Sequence, residues 1–431
     1  MQTAQPSPSS AGVPRADLLG IAALCGAVLA FEIAYHKIIN VQHYGSLGYV
    51  VIGSALFGFA LAGVLLTVST TLRRIDSRSL IAASAAGTGL TMAVAYFVTS
   101  YTPLDFTAVF DRPIATVAAL LACYLALTLP FFLAGLCISV LLSRSERGVS
   151  TLYAADLIGA GLGAAAVLPL MDLVGAPGAV WSAAALAVLS AALFALPRSR
   201  ATTAGFVAAA LVLGAIGSAV APVIDVPVHT NKRGYKEHEA ADLFITREWS
   251  ALTRIDAVDF GKHASEPPGT FGTGILWYDG GSMQSHMFKN GGLLQNIPPF
   301  VTESSGTLPY RLRPREHALI LASAGGREVI WALSQGTKKV TAVELDPAVN
   351  DLVSTELDQY LGGLFNRPDV ELVTAEGRSF VQRTDRTFDV IQMVSAYSIT
   401  MVSTGAAAGM DSYLVTRESI GDYLDRLTDD G

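Results

Sequence analysis

The chain has 431 residues, 51% of them hydrophobic and only 15% charged, with a formal net charge of -7. Soluble domains carry about 25% charged residues, so this deficit excludes an ordinary globular protein and points to long segments in lipid. The acidic balance is spread without a basic block, which excludes nucleic acid as a partner.

Residues 1–17, "MQTAQPSPSSAGVPRAD", are rich in Ser, Pro and Ala and are expected to be disordered. Residues 18–223 hold almost no charge outside short loops, and about 20 apolar residues cross a bilayer core. Segments of that kind fall at 18–40, 47–70, 80–101, 114–142, 151–172, 177–196 and 203–223, so the expected domain is a multi-pass helical membrane bundle of about seven spans. The first run lacks a clean cleavage site and is followed by others, which reads as an uncleaved span. Gly159 and Gly163 form a GxxxG pair, a pattern that lets two helix backbones approach in lipid. Small-residue faces of this kind also leave room for homo-oligomers through the membrane helices.

Arg73, Arg74 and Arg78 follow the second span, Arg144 and Arg147 the fourth, and Arg198 and Arg200 the sixth. The positive-inside rule puts these loops in the cytoplasm, as expected for a cell inner-membrane protein, and a seventh crossing then leaves the second half of the chain outside. Glu32 and His36 share a helix face, with Lys37 and His43 nearby and Asp156 on a later span. Ionisable groups in a span are functional suspects, with a proton path, quinone or metal site as the sharper readings and a structural interhelical pair as the plainer one. No ligand spacing marks a metal site, and Cys25, Cys123 and Cys137 lie unpaired in apolar runs.

After Asp225 the pattern turns to short alternating stretches. "SALTRIDAVDF" alternates from Leu252 to Phe260, and "TGILWYDGGSMQSHMF" places the Tyr278-Asp279-Gly280 turn between two runs, so residues 224–310 read as a linker and a small β-hairpin subdomain. Residues 311–431 then alternate strand and helix: "HALILAS", "GREVIWALSQG", "KVTAVEL", a helix from Pro347 to about Gly362, "VELVTAEG", a helix from Arg378, and "FDVIQMV". That rhythm predicts a Rossmann-like α/β domain with a parallel sheet.

Ser323-Ala324-Gly325-Gly326 falls where the first of these strands meets its helix, the place where backbone N–H groups face a ligand. The two glycines remove side chains from that approach. Glu344 ends the next strand, where an acid can accept both ribose hydroxyl hydrogens. The absence of a GK[ST] motif argues against a triphosphate.

"ASAGGREVIWAL", "VTAVELDP", "VTAEGRSFV" and "FDVIQM" resemble the sequence blocks of the spermidine synthase-like branch of class I S-adenosylmethionine-dependent methyltransferase folds, and the whole chain after residue 18 is similar to its membrane-fused members. The resemblance implies S-adenosylmethionine or its decarboxylated form as cofactor. Gly325 and Gly326 would then adjoin the sulfonium and its tail, Glu344 would bind ribose, and Glu376 with Gly377 would contact adenine. Gln284, after Asp279 and Gly280, approximates a family glutamine near the cofactor, one residue out of register.

Where aminopropyltransferases carry an Asp that orients and deprotonates the attacking amine, this chain has Val394. The family's Tyr-His-Glu polyamine segment is replaced by "LLQNIPPFV", so spermidine synthesis is disfavoured. Ser395, Tyr397, Ser398, Asp411 and Tyr413 follow the fourth strand at the ligand-binding end of such sheets. Asp411, Tyr397 and Ser395 are the catalytic candidates, whereas Thr416, Glu418 and Ser419 read as a helix start. The expected function is a membrane-anchored transferase for a small-molecule acceptor; the alternative is a non-catalytic nucleoside-binding module regulating a transporter or sensor. Cytosolic cofactor supply favours the cytoplasmic side for the soluble half, and loop charge favours the outside. Four strands precede Gly431 where such folds have seven, so truncation is expected.

Overall fold

The computed structural model describes residues 13–394 and 414–431, apart from 44, 105–108, 145–147, 197, 221–225, 230, 231, 266, 268 and 313–315. The chain falls into two compact units, Met1–Ile39 with Leu47–His229, and Asn40–Ser46 with Thr230–Gly431.

The long helices of the first unit are α1 (Arg15–Gln42), α2 (Tyr49–Val68), α3 (Ser77–Tyr101), α4 (Pro113–Ser143), α5 (Val149–Ala195) and α6 (Arg200–Val220). Among the described residues, six helices are therefore long and apolar enough to span a membrane, where the sequence predicted seven segments. The difference lies in α5, whose 47 residues contain both the 151–172 and the 177–196 segments. At 1.5 Å per residue, a straight helix would put Gly159 and Phe194 about 50 Å apart. Yet Gly159 lies against Ala22 and Phe194 against Gly20, within one turn of α1. The helix therefore folds back on itself at Gly175 (φ 69, ψ 170), a conformation essentially restricted to glycine. Pro177 opens the returning arm, where its missing N–H costs little.

Two further contacts fix the run of the helices. Arg198 bonds Asp76 at 2.8 Å, so the loop after the returning arm meets the loop before α3. Gly217 of α6 lies against Trp181 near the start of the returning arm, so α6 runs antiparallel along that arm's length. The Gly159/Gly163 pair packs as its spacing predicts. A Cβ on Gly159 would stand 2.1 Å from the Ala22 carbonyl oxygen, and one on Gly163 2.2 Å from that of Gly26. Asp156 meets the Cys25 thiol on α1.

The second unit begins with α7 (Arg233–Ala240), followed by an antiparallel meander of β1 (Phe244–Trp249), β2 (Arg254–Asp259), β3 (Gly272–Tyr278) and β4 (Met283–Lys289). Alternation in the sequence predicted a one-sided β2, but all six of its residues are buried. Its buried charges pair with each other: Arg254 Nε donates to Asp256 Oδ2 at 3.1 Å, and its Nη2 donates to the Tyr235 hydroxyl of α7 at 2.6 Å. This closure makes burial of a charged pair tolerable.

The sheet behind it has β5 (His317–Leu321), β6 (Lys339–Glu344), β7 (Val370–Thr374) and β8 (Val390–Met393), all parallel in the order β7-β6-β5-β8. Its helices are α8 (Arg327–Ser334), α9 (Pro347–Ser354), α10 (Gly377–Arg383) and α11 (Arg417–Leu424). The single helix expected from Pro347 to about Gly362 instead stops at Ser354 and resumes for one turn at Asp358–Leu361. Thr416 and Ser419 form the reciprocal capping box that starts α11. Strand order reverses between β5 and β8, which places the ligand crevice of such a sheet at the carboxyl ends of those strands.

Candidate functional site

The loop after β5 is bent three times into the left-handed region, at Ala322 (φ 59), Ala324 (φ 36) and Gly326 (φ 85). Two alanines held there are a strained arrangement of the kind that clusters at ligand sites. Glu344, at the end of β6, holds the loop in place: its Oε2 accepts from the Ala324 N–H at 3.1 Å, and its Oε1 from those of Leu345 and Asp346 at 2.7 and 3.3 Å. Burial raises the Glu344 pKa above the usual carboxylate range, against the pull of those three N–H groups.

The β meander closes over the same loop. Ser285 Oγ accepts from the Gly325 N–H at 3.1 Å, and Met287 bridges to Gly326. Ser250, just after β1, donates to Asp346 at 2.6 Å, next to Glu344. The glycine pair is required by this packing. A Cβ on Gly325 would stand 2.5 Å from the His286 carbonyl oxygen, and one on Gly326 2.5 Å from Leu364. The glycine pair thus lets β4 and the 364–365 segment approach the loop closely.

The other expected cofactor residues divide by what holds them. The Glu376 carboxylate caps α10, accepting from the N–H groups of Arg378 and Ser379 at 3.0 and 2.7 Å, with Gly377 as the first residue of that helix. Burial opposes its charge, but the bonds from Ser379 and Arg378 prevail and hold its pKa below the usual value. Asp279 Oδ1 accepts from Thr253 Oγ1 and from the Arg254 N–H, both at 3.0 Å, and so ties the β3–β4 turn to β2. The Asp279 carbonyl in turn accepts from Lys232 Nζ at 2.6 Å, and the same ammonium reaches the carbonyls of Asn40 and Val41 at 2.6 and 3.0 Å. Gln284 sits on β4 opposite Trp277. Val394 packs against the core of the domain. Ser395, Tyr397, Ser398, Asp411 and Tyr413 lie outside the described residues.

Two side chains entered the sequence reading only as members of a turn and a loop. The Tyr278 hydroxyl and Ser323 Oγ are buried with no hydrogen-bond partner among the described residues. Burial raises the Tyr278 pKa, and the charges of Glu344, Asp346 and Glu328 add to the effect, so the phenol stays protonated as a donor. Tyr278 could be read only as part of a turn signal, since β3 had to be placed before its side chain faced Glu344. A buried polar atom left unpaired costs about 1–3 kcal/mol, a cost that a ligand can relieve.

Strand order and loop define a parallel α/β domain with a crevice at the carboxyl ends of its strands, beside an antiparallel β module. More particularly, the chain is similar over parts of its length to polyamine aminopropyltransferases. It is 26% identical over 122 residues to that of Korarchaeum cryptofilum, covering 26% of this chain and 38% of the relative. It is 34% identical over 77 residues to that of Sulfurisphaera tokodaii, covering 18% and 26%. A third, from Thermoplasma acidophilum, is 34% identical over 86 residues, covering 20% and 31%. The chain thus spans well under half of the length of each of these relatives. Among solved structures, spermidine synthase from Thermotoga maritima is 20% identical with a TM-score of 0.28, covering 44% of this chain and 54% of that one. A spermidine synthase in complex with the transition state analogue AdoDATO is 22% identical with a TM-score of 0.27, covering 43% and 54%. No protein-family model matches the chain.

Proposed function

We propose that the chain is a membrane-anchored transferase that takes an adenosyl sulfonium cofactor and acts on a small acceptor. The observation that carries this is the Glu344 carboxylate held against the strained β5 loop, a loop that also bears the buried Ser323 hydroxyl, unpartnered among the described residues. The aminopropyltransferase relatives favour decarboxylated S-adenosylmethionine over S-adenosylmethionine. In either case the acceptor's nucleophile attacks the carbon beside the sulfonium, the C–S bond breaks, and a neutral thioether leaves. The acceptor's proton needs a base, for which Asp411 is the candidate, with Tyr397 and Ser395 as orienting hydroxyls.

Val394 supplies no carboxylate, which argues against a dicationic polyamine as acceptor and hence against spermidine synthesis itself. The same valine is the support for a non-catalytic nucleoside-binding module, a reading that has no relative behind it. Calorimetry on the detergent-solubilised full chain is expected to give saturable binding of one of the two adenosyl compounds. Mass spectrometry of the products should then separate aminopropyl from methyl transfer, with turnover lost in Asp411→Asn. Absence of binding would overturn the proposal, and binding without turnover would favour the non-catalytic module.

For topology we propose seven crossings, with α5 counted as two arms. Supporting this are the reversal at Gly175 and the full-length antiparallel run of α6. The soluble half then lies on the face opposite Arg78 and Arg198, outside by the positive-inside rule, and a cytosolic cofactor would have to reach that face. Alkaline phosphatase fused after Ala240 is expected to be active. An inactive fusion would mean that α6 does not cross, as a re-entrant or peripheral segment, or that the arginine loops lie outside.

A further inference from the structure

A cavity of about 280 Å³ opens between β4, α8 and the turn at Pro299–Thr302, lined by Phe260, Phe288, Phe300 and Trp331 with Thr273, His286 and Arg327 as its polar side chains. Phe260 and Phe300 are 40% and 63% exposed. Exposed aromatic rings gathered at a cavity mark a binding surface more often than scattered ones do. No Asp or Glu lines it.

Arg327 brings a guanidinium to this cavity as one half of an ion pair with Glu328. The Arg327 guanidinium lies 4.7 Å from the Trp331 ring centroid, and its Nε and Nη2 donate to Glu328 Oε1 at 3.0 and 2.6 Å. Neither bond uses Nη1, and stacking on an aromatic face holds the guanidinium plane in place for a second acceptor. Burial, and then the Arg327 charge, lower the His286 pKa, so this imidazole is neutral near pH 7 and offers one donor and one acceptor.

We infer that this cavity binds a small amphipathic anion, with an apolar or aromatic body against Phe260, Phe300 and Trp331 and a carboxylate on Arg327. Aromatic lining with one placed charge is the usual make-up of a small-molecule site. The inference does not depend on the transferase proposal, although the cavity wall begins one residue after the β5 loop.

The test is calorimetry on the full chain in detergent, corrected for empty micelles, with 3-phenylpropionate and its ammonium counterpart 3-phenylpropylamine as probes. Saturable binding of the carboxylate is expected, with the amine at least tenfold weaker. Arg327→Gln and Phe300→Ala should each weaken carboxylate binding about tenfold. Phe300→Ala changes an exposed ring and should leave both the unfolding temperature and the affinity for the adenosyl compound unchanged, so that titration reads the cofactor proposal separately. No saturable binding of 3-phenylpropionate, equal binding of the two probes, or indifference to Arg327→Gln would overturn the inference.

Discussion

Replacing Glu344 by alanine is expected to weaken adenosyl binding by a hundredfold or more in a calorimetric titration. A carboxylate accepting two ribose hydroxyl bonds contributes about 1.5–3 kcal/mol through each. Two such bonds amount to about 3–6 kcal/mol, roughly 10²- to 10⁴-fold in affinity. Alanine also leaves the N–H groups of Ala324, Leu345 and Asp346 without their acceptor, so part of the loss would be distortion of the loop. Glu344→Gln separates the two effects, because it keeps the side-chain length and one acceptor oxygen but cannot accept two hydroxyl bonds and hold the loop as well. It should lose about tenfold. Affinity should also depend on pH in a defined direction. The Glu344 pKa is raised, so binding is fully present above that raised value and is lost as pH falls through it, earlier than for an ordinary carboxylate. Unchanged binding in Glu344→Ala would remove this residue from the site.

Gly163→Leu is expected to separate α1 from α5 and to lower the unfolding temperature of the solubilised chain. The added Cβ would stand 2.2 Å from the Gly26 carbonyl oxygen and 2.6 Å from its Cα, both backbone atoms that no rotamer change can move. Overpacking costs about 1–3 kcal/mol where neighbours can shift, and a blocked backbone contact belongs at or above the upper end. Gly161→Leu is the matched control, two residues away on the same arm, with no atom within 4 Å of its added Cβ. A bulky side chain there should leave unfolding unchanged. Equal effects of the two substitutions would mean that helix propensity, and not the α1–α5 contact, sets the outcome.

These two sites differ in how far they could be read in advance. The GxxxG spacing at Gly159 and Gly163 already contains its own geometry, since residues four apart share a helix face. Only the partner was missing, and Ala22 and Gly26 of α1 supply it. At the cofactor loop, position was legible and role was not. Gly325 and Gly326 stood out as a pair after a strand, yet their contacts are with His286 and Leu364, which lie 39 and 38 residues away in the chain. Glu376 was legible as a strand-end acid, but whether such an acid faces a ligand or caps the next helix depends on the first turn of that helix.

By itself the sequence determined the division into an apolar helical half and a half of ordinary charge, the strand–helix rhythm after residue 317, and the positions of Glu344 and the glycine pair. All of these are local properties, set by hydropathy over about 20 residues, by periodicity, and by residue types at strand ends. Tertiary structure alone decided that α5 turns back at Gly175, that β2 is buried on both faces, and that the loop held by Glu344 bears the buried Ser323 hydroxyl, unpartnered among the described residues. Each of these depends on which distant segment lies opposite, and contact between segments remote in the chain leaves no period or spacing in the sequence to read.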